Sequence, residues 1–74
     1  MSTRLPASNA REVARALEKL GFRFRRQNGS HATYKHADGR RTTIPMHRGD
    51  IARPILHEII KQSGVTEDDF RRAL

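Results

Sequence analysis

Two turn segments near the middle of the 74-residue chain constrain its fold most strongly. They are Gln27–Ser30 and Ala37–Arg40, and they separate three short runs in which apolar residues alternate with basic or hydroxyl-bearing ones. Asn-Gly and Asp-Gly pairs between such runs are strong local signals for β-hairpins. The centre of the chain is therefore predicted to form a three-stranded antiparallel meander.

The first run, Phe22–Arg26, alternates apolar and basic residues, as a half-buried strand does. This alternation predicts that Phe22 and Phe24 face the core while Arg23 and Arg25 face away from it. One face of the sheet is therefore expected to be apolar and the other basic.

The length of the first hairpin loop decides which side chains pair across the strands. A two-residue Asn-Gly turn would place Tyr34 opposite Arg23, whereas a three-residue loop, Asn28–Ser30, places it opposite Phe24. We favour the three-residue loop because it gathers aromatic surface on one face. Two further pairs follow from it, Phe22 with His36 and Arg26 with Ala32.

A three-residue loop, Asp38–Arg40, is predicted for the second hairpin because it also collects apolar groups on one face. It pairs Ile44 with Tyr34 and Met46 with Ala32. The same register places His31 directly opposite His47, with Cβ atoms about 4.5–5.5 Å apart.

The residues before the meander have a helical pattern. Asn9 and Glu12 match a capping box at the helix start, and Gly21 is placed to end the helix. Apolar residues recur at steps of three and four, as on one face of a helix. They are Ala10, Val13, Ala14, Leu17 and Leu20.

A second helix is predicted after the meander, capped by Asp50 or Arg53, with Pro54 in its first turn and Gly64 at its end. Its apolar side is expected to consist of Ile51, Ile55, Leu56, Ile59 and Ile60. Thr66 then begins a last short turn of helix.

Together these elements predict an α+β fold of two layers in the order α-β-β-β-α plus a terminal helical turn. Both helices cover the apolar face of a three-stranded antiparallel sheet, and the opposite face is open to solvent. The chain, residues 1–74, is expected to be a single domain whose core lies within residues 10–70.

Charge narrows the possible partners. Fifteen Lys and Arg against eight Asp and Glu give a formal net charge of +7, and twelve of the fifteen cations are Arg. Planar guanidinium groups suit bidentate phosphate contacts, so RNA or DNA is favoured as the ligand. The alternative for such a charge is an adaptor that binds an acidic protein.

Composition also bears on chemistry and compartment. The chain has no cysteine and no clustered carboxylates, so neither a metal ion nor another cofactor is expected. No stretch approaches the ~20 apolar residues of a membrane span, and the N-terminal residues lack the apolar run of a secretory signal. A cytoplasmic location without membrane association is expected.

The predicted open face carries cations, hydroxyls and histidines but no carboxylate on its strands. It holds Arg23, Arg25, His31, Thr33, Lys35, Arg41, Thr43 and the segment Pro45–His47. Imidazole can act as base or acid near neutrality, and fixed cations can stabilise a charged phosphorane, so the set suits RNA cleavage by internal transesterification. Histidines at strand ends are also common as plain surface groups, and His36 and His57 are expected to be structural.

An ordered set of motifs is more specific. A helix end at Leu20-Gly21-Phe22 precedes "RQNGSHATYKHADGRRTTIPMHRG", which is followed by "ILHEIIKQSGV". With its Gly-Ser-His, Asp-Gly, Pro-x-His and Ile-Ile-Lys-Gln-x-Gly steps in this order, the chain resembles the HicA family of toxins from type II toxin–antitoxin modules. The resemblance covers about residues 10–70 and implies a fold similar to the double-stranded-RNA-binding domain (dsRBD-like). One departure is the start of helix two, where many relatives have a Gly-Thr-Leu-Arg-like sequence and this chain has Arg53–His57.

The resemblance implies an mRNA interferase, an endoribonuclease that cleaves mRNA and halts growth until a HicB antitoxin covers its active face. The family's catalytic histidine falls on His31, and Gly29 and Ser30 match the turn that presents it. His47 matches the histidine after the proline of strand three and is interpreted as a phosphate ligand or proton-transfer partner. Phosphate positioning is assigned to Arg23, Arg25 and Lys35. The alternative is a non-catalytic module that binds double-stranded RNA through the same fold and charge.

Overall fold

The structure, a computed structural model, describes residues 4–74. The first three residues, part of the segment expected to lack a secretory signal, lie outside the described residues. The elements follow the chain as α1 (Ala10–Lys19), β1 (Phe22–Asn28), β2 (His31–His36), β3 (Arg41–Pro45), α2 (Arg53–Ser63) and α3 (Glu67–Ala73). The predicted α+β order is confirmed, and the terminal turn is a helix of 7 residues.

Helix α1 begins and ends where the sequence indicates. The Glu12 backbone N–H donates to the Asn9 side chain at 2.8 Å, and the Glu12 carboxylate accepts from the Asn9 N–H at 2.9 Å. The chain leaves the helix through Gly21, whose φ of 98° is unfavourable for other residues. A Cβ at this position would lie 2.8 Å from Nε2 of His36, so the close approach also requires glycine.

The core lies between the helices and one face of the antiparallel sheet, whose strand order is β1-β2-β3. Ala32, Tyr34 and Ile44 from the sheet are each less than 9 % exposed, and Leu17 and Leu56 from the helices pack against them. Because successive side chains of a strand point to opposite faces, the other face of the sheet is left uncovered. None of the helices within residues 4–74 is long and apolar enough to cross a bilayer.

Strand β1 extends beyond the part of the sheet that the helices cover. Only Phe22 is buried in this strand, and the prediction that Phe24 is a core residue is wrong, because its side chain is 51 % exposed. Phe24 does pair with Tyr34 as predicted, and the two rings meet edge-on with centroids 5.8 Å apart. Phe22 on the same edge strand is fully buried, so the cover over β1 ends between these two residues.

The first hairpin contains a β-bulge that the sequence analysis did not anticipate. The predicted Phe22–His36 pair is confirmed, but Ala32 lies opposite Gln27 rather than Arg26. The register shifts by one residue at Arg25, and a two-residue turn, Gly29-Ser30, replaces the predicted three-residue loop. The turn begins with Gly29 at a φ of 62°, which suits a two-residue hairpin.

The second hairpin is shifted by two residues from the predicted register. His31 lies opposite Pro45 and Tyr34 opposite Thr42, so the predicted pairing of His31 with His47 is wrong. The loop is Ala37–Gly39, closed by a hydrogen bond from the His36 N–H to the Arg40 carbonyl at 2.7 Å. A shift of two residues keeps every side chain on its predicted face, because the side-chain period of a strand is two.

Arg40 explains why the observed register is preferred over the predicted one. Its Nε donates to the Asp38 carboxylate at 2.9 Å, and its Nη1 donates to the Ser63 carbonyl at 2.7 Å. Its guanidinium carbon also lies 5.4 Å from the centre of the Phe22 ring. These contacts hold Arg40 against the helix layer, which is incompatible with a place in the loop tip.

Helix α2 starts without the predicted side-chain cap. Its N-cap residue is Ala52, which makes no capping hydrogen bond, whereas Asp50 forms an isolated antiparallel bridge with Asn9. Arg53 lies inside the helix, and its Nη1 donates to the Leu5 carbonyl at 2.6 Å. The tertiary contacts of this segment therefore position the helix start, and Gly64 ends the helix as predicted.

Candidate functional site

The open sheet face carries a shallow groove lined by four cations and two hydroxyls, with a volume of about 500 Å³. We call it the basic groove. Its lining residues are Arg25, Arg26, Thr33, Lys35, Arg41 and Thr43.

The bulge in β1 determines how many cations reach this groove. In a regular strand, adjacent residues point to opposite faces, so only one of Arg25 and Arg26 would line it. A bulge sets two residues against one on the neighbouring strand, and here both arginines lie along the groove beside Thr33. Sequence reasoning missed Arg26, and the only sequence signal for it was the Arg-Arg step that interrupts the alternation.

The cations of the basic groove have no carboxylate partner among residues 4–74. The ion pairs of the described residues involve other arginines and two histidines, on the second hairpin loop, α2 and α3. Like charges held close together repel one another, and a bound polyanion would relieve that repulsion. The groove therefore has the electrostatic character of a phosphate-binding surface.

Arg23 lies beside the basic groove and does not line it. Its Nη1 donates to the carbonyl of Phe22 at 3.1 Å and to that of Glu18 at 3.4 Å, which turns it toward the end of α1. It shares a neighbouring depression with Arg25 and Lys35. Of the three predicted phosphate-positioning residues, Arg25 and Lys35 therefore lie in the basic groove and Arg23 lies at its border.

His31 is exposed at the start of β2, directly after the Gly29-Ser30 turn. The turn is held on both sides, because Gln27 Nε2 donates to the Gly29 carbonyl at 3.0 Å and the Met46 N–H donates to the Ser30 carbonyl. Within residues 4–74 no hydrogen bond engages the His31 imidazole. Both ring nitrogens are thus accessible to a ligand, on a backbone segment fixed from two directions.

His31 also lines a second groove, between the edge of β3 and helix α2, with a volume of about 340 Å³. We call it the side groove. Its lining residues are His31, Thr43, Pro45, Pro54, Ile55, Glu58, Ile59 and Gln62. Thr43 lines both grooves, so the basic groove and the side groove meet at this residue, and His31 lines the side groove only.

Two features of the side groove were not predicted. Ile55 was expected in the core but is 43 % exposed, whereas the other four residues predicted for the apolar side of this helix are buried. Glu58 and Gln62 lie one helical turn apart and are linked by a hydrogen bond of 3.3 Å from Gln62 Nε2 to Glu58 Oε2. A polar pair on an exposed helix face is too common in sequences to indicate a site.

His47 follows Met46 in the segment between β3 and α2 and does not pair with His31. Its Nδ1 donates to the Arg48 carbonyl at 2.9 Å, and its side chain lines a depression near the start of α1 together with Arg11 and Arg48. The predicted direct opposition of the two histidines is therefore absent, and the two side chains line different depressions.

The remaining two histidines have the contacts of structural residues. The His36 ring packs edge-on against Phe22 at 5.2 Å between centroids, and its Nδ1 lies 3.1 Å from the Asp38 carboxylate. The pKa of Asp38 is lowered to about 2, chiefly by the side-chain hydrogen bond from Arg40. Nδ1 of His57 lies 3.2 Å from the Glu67 carboxylate. Within residues 4–74 no group of three or more His, Asp or Glu side chains could hold a metal ion.

The fold and the site together define a small α+β protein whose uncovered sheet face presents arginines and one accessible imidazole. A sequence model of the family described as "HicA toxin of bacterial toxin-antitoxin" matches residues 10–65, which span α1 to the end of α2. The chain therefore belongs to the HicA toxin family, and membership implies a toxin that pairs with an antitoxin. Comparison with curated protein sequences gives no significant match.

Proposed function

We propose that this protein is an endoribonuclease that cleaves mRNA by internal transesterification without a metal ion, and that a HicB antitoxin neutralises it. One observation carries the proposal: His31, an exposed imidazole without hydrogen bonds, lines a groove that shares Thr43 with a groove of four cations, and those cations have no carboxylate partner in the described chain. Transesterification of RNA needs this combination of a proton-transfer group and fixed positive charge.

In the proposed reaction the 2′-oxygen of one ribose forms a bond to the neighbouring phosphorus, and the bond from phosphorus to the 5′-oxygen breaks. His31 acts as the base that takes the 2′-hydroxyl proton or as the acid that protonates the leaving 5′-oxygen, and water handles the other proton. Arg25, Lys35 and Arg41 stabilise the charged phosphorane. Gly29 and Ser30 hold His31 in place, and Arg23 contacts a flanking phosphate.

His47 is assigned a supporting part. His47 lines a different depression from His31, and this favours phosphate binding over proton transfer, since a proton-transfer partner must lie within hydrogen-bond reach of the reacting atoms. The neighbouring Arg11 and Arg48 support this assignment, because they would add to the attraction for a phosphate.

The antitoxin is proposed to bind the open face of the sheet. This is the sheet face that the chain's own helices leave uncovered, and it carries the unpaired cations. A partner with acidic or hydrogen-bonding groups would complement it and exclude RNA.

The test is incubation of the purified chain with an end-labelled transcript in the presence of EDTA. Cleavage products with 2′,3′-cyclic phosphate ends are expected, and His31→Ala should slow cleavage about 10²–10⁴-fold. His57→Ala is the matched control, because it removes an exposed histidine of α2 and should cleave like the unmodified chain.

Two outcomes would contradict the proposal. Equal cleavage, and equal toxicity on induction in cells, by the unmodified chain and His31→Ala would exclude His31 as the catalytic residue. Binding of the transcript without any product would instead favour the alternative, a non-catalytic module for double-stranded RNA.

A further inference from the structure

We propose that the side groove beside His31 holds one nucleobase of the RNA and prefers guanine. The inference rests on the proposed function, because it takes RNA as the ligand, and it deepens that function by naming the base bound beside the reacting phosphate. It is carried by the apolar wall of the groove, the polar pair along its rim and its continuity with the basic groove.

The apolar wall consists of Ile55 with Pro45 and Pro54. Ile55 is one of the two large apolar side chains left exposed among residues 4–74, and neither the core nor the proposed cleavage chemistry uses it. Extruded or single-stranded bases are held by stacking against aromatic or apolar side chains in pockets of this kind. The exposure of Ile55 is thus accounted for if the flat face of a base packs against it.

The polar rim is formed by Glu58 and Gln62, whose orientation is fixed from the sheet. The hydroxyl of Thr42, which is 2 % exposed, donates to Gln62 Oε1 at 2.7 Å, and Gln62 Nε2 donates to Glu58 Oε2 at 3.3 Å. The amide oxygen therefore already accepts a hydrogen bond, while one N–H of the amide remains available and both carboxylate oxygens can still accept, because each has two lone pairs. The rim presents a carboxylate acceptor next to a single donor.

Guanine matches this donor and acceptor pattern best. Its N1–H and N2–H₂ groups lie side by side and can donate two parallel hydrogen bonds to a carboxylate, and the adjacent O6 accepts from an N–H. Adenine and cytosine offer only one amine next to a ring acceptor, and uracil offers one N–H between two carbonyls. Each of these three bases would therefore turn an acceptor toward Glu58.

The position of the groove links base binding to cleavage. Thr43 borders both grooves and His31 lines the side groove, so a chain with its phosphates in the basic groove can place a base in the side groove beside the imidazole. The base would thereby fix which phosphate lies next to the imidazole, which makes Glu58 and Gln62 specificity-determining residues.

The test measures binding in the absence of cleavage. The full chain is titrated against fluorescent 2′-O-methyl hexanucleotides, which cannot transesterify and which carry one central guanine, inosine or adenine in a uridine background. The guanine ligand is expected to bind about tenfold more tightly than the adenine ligand, with inosine between them because it lacks the 2-amino group. Glu58→Gln should reduce the guanine preference to less than about twofold, since its amide cannot accept both hydrogen bonds.

Glu18→Gln is the matched control, because it makes the same change of charge on an exposed face of α1 and should keep the guanine preference. Equal affinities for the three ligands, including no binding at all, would overturn the inference, as would a preference that survives in Glu58→Gln. The same sequences made as ribonucleotides separate the two proposals. Cleavage without guanine preference would leave only the nuclease, and guanine preference without cleavage would leave only the base-binding groove.

Discussion

The two faces of the sheet differ sharply although they are built from alternating residues of the same strands. On the covered face Ala32, Tyr34 and Ile44 lie beneath the helices and are almost fully buried. On the open face their neighbours Lys35 and Thr43 border a groove of unpaired cations. If the open face binds RNA as proposed, stability and binding depend on different residues one position apart, so substitutions at adjacent positions should separate them.

The largest effect is expected for Ile44→Ala. Ile44 is fully buried beneath the helices, so removing its side chain leaves a cavity and should lower the free energy of unfolding by about 2–5 kcal/mol. Thr43→Ala, the neighbouring substitution on the open face, should cost under about 1 kcal/mol. Denaturant unfolding of both variants measures the difference. Similar losses of unfolding free energy would contradict the view that the covered face contributes more to stability than the open face.

The next effect concerns binding alone. Arg26→Ala removes one cation of the basic groove, so RNA affinity should fall and the slope of log affinity against log salt should decrease by about 0.7, as for one contact with a single-stranded phosphate. Arg72→Ala is the control, because Arg72 is exposed on α3 and paired with Asp69. Salt titrations of the two variants that gave the same slope would contradict the assignment of Arg26 to the groove.

The smallest effect concerns the second hairpin loop. Directly after it, Arg40 points to the helix layer and Arg41 to the open face. Hydrogen bonds from Arg40 lower the pKa of Asp38 to about 2 from an ordinary value of 3.8. A depressed carboxyl pKa stabilises the fold above the unfolded-state value, and this contribution is lost as the pH falls from about 4 to about 2. The Asp38→Asn variant should lack this pH-dependent contribution to stability.

An NMR titration of the Asp38 carboxyl measures the pKa directly, with an expected midpoint near 2 in the unmodified chain. Unfolding measured between pH 4 and pH 2 compares the chain with Asp38→Asn. A midpoint near 3.8 would mean that Arg40 does not hold the loop as described.

Local signals in the sequence predicted the elements well. The capping box at Asn9 and Glu12, the helix end at Gly64 and the cap at Thr66 each depend on residues close together in the chain, and all three are confirmed. The face of each β2 and β3 side chain was also predicted, because a shift of two residues in register leaves the faces unchanged.

The features that were not predicted depend on contacts between distant segments. The register of the second hairpin depends on Arg40, which donates a hydrogen bond to the Ser63 carbonyl. The start of α2 depends on contacts with the segment before α1. The bulge in β1 reconciles a favourable Phe24–Tyr34 pair with a two-residue turn further along. Neither a turn motif nor an alternation pattern contains that information.

The bulge at Arg25 also affects how the free chain can associate with other copies of itself. Strand β1 is an edge strand, and a regular edge presents unpaired N–H and C=O groups to which a second copy of the chain could add. A bulged, arginine-rich edge is irregular and carries charge that repels an identical strand, while Pro45 lacks a donor on the opposite edge, β3. The irregularity that adds a cation to the groove thus also protects the sheet against edge-to-edge aggregation.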